Sequence, residues 1–232
     1  MANEALTLLI VLTSHAQLGE TNEKTGFWLE EFTTPYYIFL DEGINIVLAS
    51  PAGGQPPIDP RSLSEDAQTD STLRYHKDAA LIAALASTKK LSELRADDYD
   101  AIFFPGGHGP LWDLVDDSHS IRLIESFWSQ GKPVSAVCHA PVVLLNAKDA
   151  KAELIIQNKQ VAGFSNSEEA VIELTDVVPL LLEDELKQRG AIYSKAEDFQ
   201  PHVLVDGNLI TGQNPASAEG VAKAVIDRLK NQ

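Results

Sequence analysis

The chain has a single cysteine, Cys138, among 232 residues. One thiol excludes an intramolecular disulfide and any zinc site built on thiolates. Basic residues are also in short supply: eighteen Lys and Arg face thirty-four Asp and Glu, for a formal charge of −16. A field of that sign repels phosphate backbones and anionic lipid, so neither nucleic acid nor a membrane is expected as a partner. Long apolar runs are missing. The first, ALTLLIVLT over residues 5–13, is too short to span a bilayer and suits a strand buried on both faces. The N-terminus, Met-Ala-Asn-Glu, has no basic start and leads to no small-residue cleavage site, so a cytoplasmic location is expected rather than a secretory leader. What is present is ordinary for a globular chain. Hydrophobic residues at 44% and charged ones at 22% rule out wholesale disorder. The length buries a sizeable core as one domain over residues 1–232.

Short apolar runs at residues 5–13, 44–50, 100–104, 133–137 and 160–164 read as core strands. Helical spacing lies between them. Phe27, Leu29, Phe32, Tyr36, Phe39 and Leu40 fall on one broad stripe. Leu81, Ile82 and Leu85 repeat the pattern, as do Ile121, Ile124, Phe127 and Trp128. Strand followed by helix, several times over, predicts an α/β fold: a doubly wound, mostly parallel sheet with helices on both faces. Residues 215–229 read as a closing helix with Pro at its start, and residues 175–190 as an extra helix stopped by Gly190. Residues 51–70, rich in Pro, Gly, Asp and Ser, have the composition of a surface excursion and the length of an insertion near a site.

The chemistry concentrates in KPVSAVCHAP, residues 132–141. An apolar strand ends at Val137, the cysteine follows, and Pro141 stands where a helix begins. A strand that turns sharply into a helix exposes its corner side chain, as in a nucleophile elbow. The helix N-terminus then lowers the thiol's pKa, and the His139 N–H points at an oxyanion formed on attack. On this segment alone a buried structural cysteine is an equal reading. FFPGGHGP, residues 103–110, tips the balance: a strand enters a glycine turn whose Gly107 N–H supplies a second oxyanion donor. His108 reads as a solvent-facing turn residue rather than a catalyst; His15, Trp28, Trp112 and His202 are candidates to line a small pocket, though each reads first as packing or surface.

AVCHAP, FFPGGHGP and TGQNPASA together resemble the ThiJ/PfpI superfamily of cysteine enzymes, whose fold is flavodoxin-like and class I glutamine amidotransferase-like. GFWLEEFTTPYYIFLDEG and ASPAGGQPPIDPRS narrow the resemblance to the stress-chaperone branch of glutathione-independent glyoxalases, or glyoxalase III. The resemblance implies Cys138 as nucleophile and His139 as its partner. It implies a carboxylic acid beside the sulfur five residues past Gly26, at Glu31, with Glu30 the competitor. A third acid six residues past Gly163 falls at Glu169, with Glu168 the near miss. Spacing alone also reads SNSEEAV as a capped helix start. Asn214, in the C-terminal signature, is expected to end a strand and cap the last helix.

The implied activity is that of a lyase, D-lactate dehydratase in type. Methylglyoxal or a related small 2-oxoaldehyde becomes a 2-hydroxy acid through a Cys138 hemithioacetal. The reaction needs no metal and no organic cofactor, and the implied assembly is a homodimer. Two other classes stay open: a stress holdase chaperone, and a cysteine hydrolase (amidase, peptidase or deglycase) using the same Cys-His pair.

Overall fold

The computed structural model describes residues 5–231, so Met1–Glu4, on which the reading of the leader rested, lie outside the described residues. β1 (Thr7–Val11) and α1 (Leu29–Asp41) open the chain. β2 (Asn45–Ser50), α2 (Asp70–Tyr75), α3 (Ala79–Leu85) and the two-residue β3 (Lys89–Lys90) follow. β4 (Ala101–Phe104), α4 (Pro110–Asp113), α5 (Ser118–Ser129) and β5 (Val134–Val137) make the middle of the chain. β6 (Gln160–Val161), α6 (Asn166–Val171), α7 (Leu182–Gln188) and β7 (Ile192–Tyr193) come next. β8 (Val203–Asp206), β9 (Leu209–Gly212) and α8 (Ala218–Lys230) close it.

Seven strands form one sheet in the order β3-β2-β1-β4-β5-β9-β8, parallel except for β8, which runs antiparallel to β9. The inner five strands have the order of a flavodoxin-like sheet. Period-two alternation divides each apolar run between two cores. Leu9, Val11, Ile102, Phe104, Val134 and Ala136 face α5, while Leu8, Ile10, Ala101, Phe103 and Val137 face α1 and α8. The edge strand β3 is a pair of exposed lysines, which discourages pairing with another chain. No helix among the described residues is long and apolar enough to cross a membrane.

Several expected elements are shorter than their apolar runs. Residues 160–164 do not join the main sheet as a core strand: only Gln160–Val161 extends, paired in parallel with β7. The chain then turns toward the end of β5, where the Phe164 N–H donates to Cys138 O at 2.8 Å. Residues 175–190 yield a helix only over Leu182–Gln188, ended by Gly190 at φ +84°. The segment after Cys138 is a short 3-10 turn, Ala140–Leu144, and not an α-helix. Leu40 and Ile82, expected on buried stripes, are exposed.

Phe103 is fully buried and meets Phe39 edge-on at 5.9 Å between ring centres. Phe103→Ala is expected to cost about 3–5 kcal/mol in urea unfolding. Leu73→Ala, on the exposed side of α2, should change stability by no more than about 0.5 kcal/mol.

Candidate active site

The crossover from β1 runs through α1 to β2 on one side of the sheet, whereas β4 and β5 lie on the other. The crevice at the C-terminal ends of β1 and β4 is therefore the switch point at which open α/β sheets bind ligands. The first turn of α1 borders it with Glu31, the turn after β4 brings residues 106–108, and the end of β5 brings Cys138 and His139.

Cys138 sits at φ +63°, in the left-handed region that non-glycine residues avoid. Both its backbone groups are pinned: its N–H donates to Gly212 O at 3.0 Å and its carbonyl accepts from Phe164 N–H. The strain is of order 1–3 kcal/mol and persists only because its surroundings over-determine it. The thiol lies 3.3 Å from Nδ1 of His139, whose Nε2 lies 2.6 Å from Oε2 of Glu169. Glu169, in the first turn of α6, is the acid that reaches His139. Its neighbour Glu168 closes the helix cap, accepting from the Ser165 N–H and hydroxyl at 2.9 and 2.8 Å.

Glu31 is fully buried against the other side of the sulfur. A Cβ on Gly106 would stand 2.4 Å from Glu31 Oε2 and 2.7 Å from Cys138 Cβ, so only glycine lets carboxyl and thiol converge there. The Cys138 thiol and the Gly106 backbone are the polar groups beside the carboxyl, and neither carboxyl oxygen has a partner at full hydrogen-bond geometry. Burial raises Glu31 well above the usual carboxylate range, which favours the protonated carboxyl. Glu30, one residue away, turns into a separate cleft lined by Thr34 and Tyr37.

The thiol is not depressed. Burial pushes Cys138 well up, the adjacent Glu31 carboxyl adds to this, and the Gly107 amide offsets only part of it. The expected helix dipole is missing because a short 3-10 turn follows the cysteine. Glu169 goes the other way: burial alone would raise it, but His139 and His108 outweigh that and hold it far below the carboxylate range.

The reading of His108 as a solvent-facing turn residue is wrong. Its side chain is buried, its Nε2 lies 2.9 Å from Glu169 Oε1, and its ring is 4.0 Å from that of His139. Residues 51–69 are likewise more than a surface excursion, since they carry Asp59 and Arg61 to His108. Neither residue type nor spacing marks these three. Trp28, one of the four pocket candidates, lines the cavity with Phe164, Ile172, Phe199 and Pro215, which enclose about 270 Å³ over Cys138. His15 stacks on Trp112 and His202 pairs with Ser194, neither of them at this cavity. Asn214 does not cap the last helix through its side chain. It donates to Glu168 and to Gln200 O, both at 2.8 Å.

His108, His139 and Glu169 also converge as a metal-binding group would, but both imidazole Nε2 atoms are engaged with the carboxylate. Burial, then the charge of His139, push His108 down to about 4. The unfolded chain binds a proton at this residue between about pH 6.5 and 4 that the folded chain refuses. The stabilisation is complete above that window and is lost as pH falls through it, by up to about 3 kcal/mol. Urea unfolding between about pH 7 and 4.5 should show native protein losing stability more steeply than His108→Gln. Parallel curves would remove His108 as the source.

A model of the DJ-1/PfpI family matches residues 24–228. The chain is 31% identical to the glutathione-independent glyoxalase HSP31 of Saccharomyces cerevisiae, over 97% of this chain and 98% of that one. Among solved structures, the 24 kDa Rapid Encystment Protein of Francisella tularensis superposes with a TM-score of 0.93 at 40% identity, covering 97% of this chain and 99% of that one. Glyoxalase III of Candida albicans superposes with a TM-score of 0.89 at 30% identity, covering 96% and 97%. The protein, with its strained cysteine at the sheet's switch point, belongs to the DJ-1/PfpI family.

Proposed function

We propose that the protein is a glutathione-independent glyoxalase, a lyase that turns methylglyoxal and related 2-oxoaldehydes into 2-hydroxy acids with Cys138 as nucleophile. The similarity to proteins named for that activity supports the reading. The observation that carries it is the pair of groups flanking the sulfur: a buried carboxyl on one side and a carboxylate-backed imidazole on the other. Acyl hydrolysis needs only the imidazole side. Moving a proton between adjacent carbons needs a second acid-base group, and Glu31 is that group.

His139 takes the thiol proton, its positive charge held by Glu169, and the sulfur attacks the aldehyde carbon C1. The C1 oxygen takes the proton of Glu31, giving a hemithioacetal and a carboxylate. That carboxylate removes the hydrogen on C1 while His139 returns its proton to the C2 oxygen, giving the enediol. Glu31 then protonates C2, and the C1 hydroxyl gives its proton to His139, leaving a thioester. Water adds to the thioester, losing a proton to Glu31, and the amides of Gly107 and His139 hold the oxyanion. The C–S bond breaks, His139 reprotonates the sulfur, and the 2-hydroxy acid leaves, D-lactate from methylglyoxal. The raised thiol fits this order, because ionisation occurs with substrate in the cavity rather than in the resting protein.

In glutathione-free buffer, native protein should release lactate from methylglyoxal, and Cys138→Ala should release none above the uncatalysed background. Glu31→Gln, which keeps a hydrogen-bond donor but moves no proton, should lower kcat by about 10²–10⁴-fold. Glu30→Gln should stay within about threefold of native. Near-native turnover by Glu31→Gln would refute the proton shuttle.

A further inference from the structure

Asp59, fully buried, holds the Arg61 guanidinium by two bonds, Nε to Oδ1 at 3.0 Å and Nη2 to Oδ2 at 2.6 Å. The Thr25 hydroxyl donates to the same carboxylate at 2.9 Å. So anchored, Nη2 also lies 3.1 Å from Nδ1 of His108. A guanidinium has no lone pair to offer, so Nη2 donates and Nδ1 accepts. A neutral imidazole that accepts at Nδ1 carries its proton on Nε2, which therefore donates to Glu169 Oε1. The other oxygen of Glu169 serves His139. We infer that Arg61 and His108 are positioning residues for the reaction: they clamp the free oxygen of Glu169, and through Glu169 they fix the ring of His139 against Cys138.

This inference rests on the reading of His139 and Glu169 as the working pair. A carboxylate held at one oxygen turns about its broad terminal torsion and swings the imidazole with it. A second donor on Oε1 removes that freedom and draws charge from the carboxylate, so the proton in transit stays on His139. The charged and titratable groups around His108 all come from other segments. Arg61, backed by Asp59, lies on one side, and Glu169 of α6 and His139 after β5 on the other. Cys138 and Glu31 line the same cavity, and the charge of Glu23 acts on Arg61.

Two measurements on the full chain test the assignment. A long-range proton–nitrogen spectrum of the histidine rings should show His108 neutral with its proton on Nε2 from about pH 5.5 to 8, and Arg61→Met should make it titrate within that window. In methylglyoxal turnover, His108→Leu should lower kcat roughly tenfold or more with little change in KM. Glu169, left with one donor, then pulls harder on His139, so the acid limb of kcat/KM should move up by about 0.5–1 unit. His108→Gln, whose amide donates to Glu169 while its oxygen accepts from Arg61, should recover most of the rate and the native limb. A native spectrum with the proton on Nδ1, or a charged ring, would overturn the inference. So would folded Leu and Gln variants with equal losses and an unmoved limb. If native protein turns over no 2-oxoaldehyde, the assigned reaction fails, and the ring spectrum, which needs no substrate, decides His108 by itself.

Discussion

The backbone of Cys138 is the constraint on which the site depends. A strand delivers it in a parallel sheet, and continuing the strand would carry the side chain past the crevice. The left-handed turn at φ +63° stops that, and it is held by a bond to the neighbouring strand through Gly212 and one to the returning chain at Phe164. Both bonds oppose relaxation toward ordinary φ, which is favoured by of order 1–3 kcal/mol. The second bond also explains why residues 160–164 leave the extended state early. The chain must present Phe164 to Cys138, and once there it stacks its ring on His139 at 4.3 Å between centres.

Around that corner three buried glutamates have different fates, decided by the donors each one finds. Glu31 finds no fully formed hydrogen bond, and burial raises it well above the carboxylate range. Glu169 finds two imidazole N–H groups and stays an anion in spite of burial. Glu168 finds four donors, from Ser165 twice, Phe199 and Asn214, and is spent on structure. Two carboxyls of one site pushed apart in pKa by their surroundings is the general pattern by which a site holds an acid and an anion at one pH. Burial and local donors dominate each case, with the negative charges of Glu30 and Asp59 adding to the rise at Glu31.

The parts legible in the sequence were those with a local cause. β1, β4 and β5 are apolar runs bounded by turns, and Cys138 follows the last of them directly. Glu31 was reachable through the resemblance, five residues past Gly26; Phe27 precedes Trp28, the N-cap of α1, so helical spacing from it does not separate Glu31 from Glu30. Glu168 and Glu169 were not separable by helical spacing either: both are acidic first-turn residues of a capped helix, and only the approach of His139 distinguishes them. His108 was misread because glycine neighbours suggest an exposed turn. Its burial comes from Arg61, 47 residues away, and from Glu169, 61 residues away. The thiol's direction was misread for a related reason. A proline after the strand announces a helix, but whether one α-helical turn forms depends on packing, and here residues 140–144 are wholly buried in a 3-10 turn.

The cavity roof shows how the same economy extends outward. Phe199, at φ +60°, is held over the site because its N–H donates to Glu168 Oε1 at 2.8 Å. Asn214 donates to that same oxygen and to Gln200 O, which ties the start of the C-terminal segment to the loop carrying Phe199. The cap that begins α6 is therefore also the anchor of the roof, and α6 is the helix that offers Glu169 to His139. Loss of the Glu168 carboxylate would take an acceptor from four donors, leaving the Ser165 and Phe199 N–H groups with none, and free Phe199 from its strained turn. Two adjacent acids on one short helix thus divide the work: Glu169 reaches inward to the imidazole, and Glu168 turns sideways to hold Phe199 in the cavity wall.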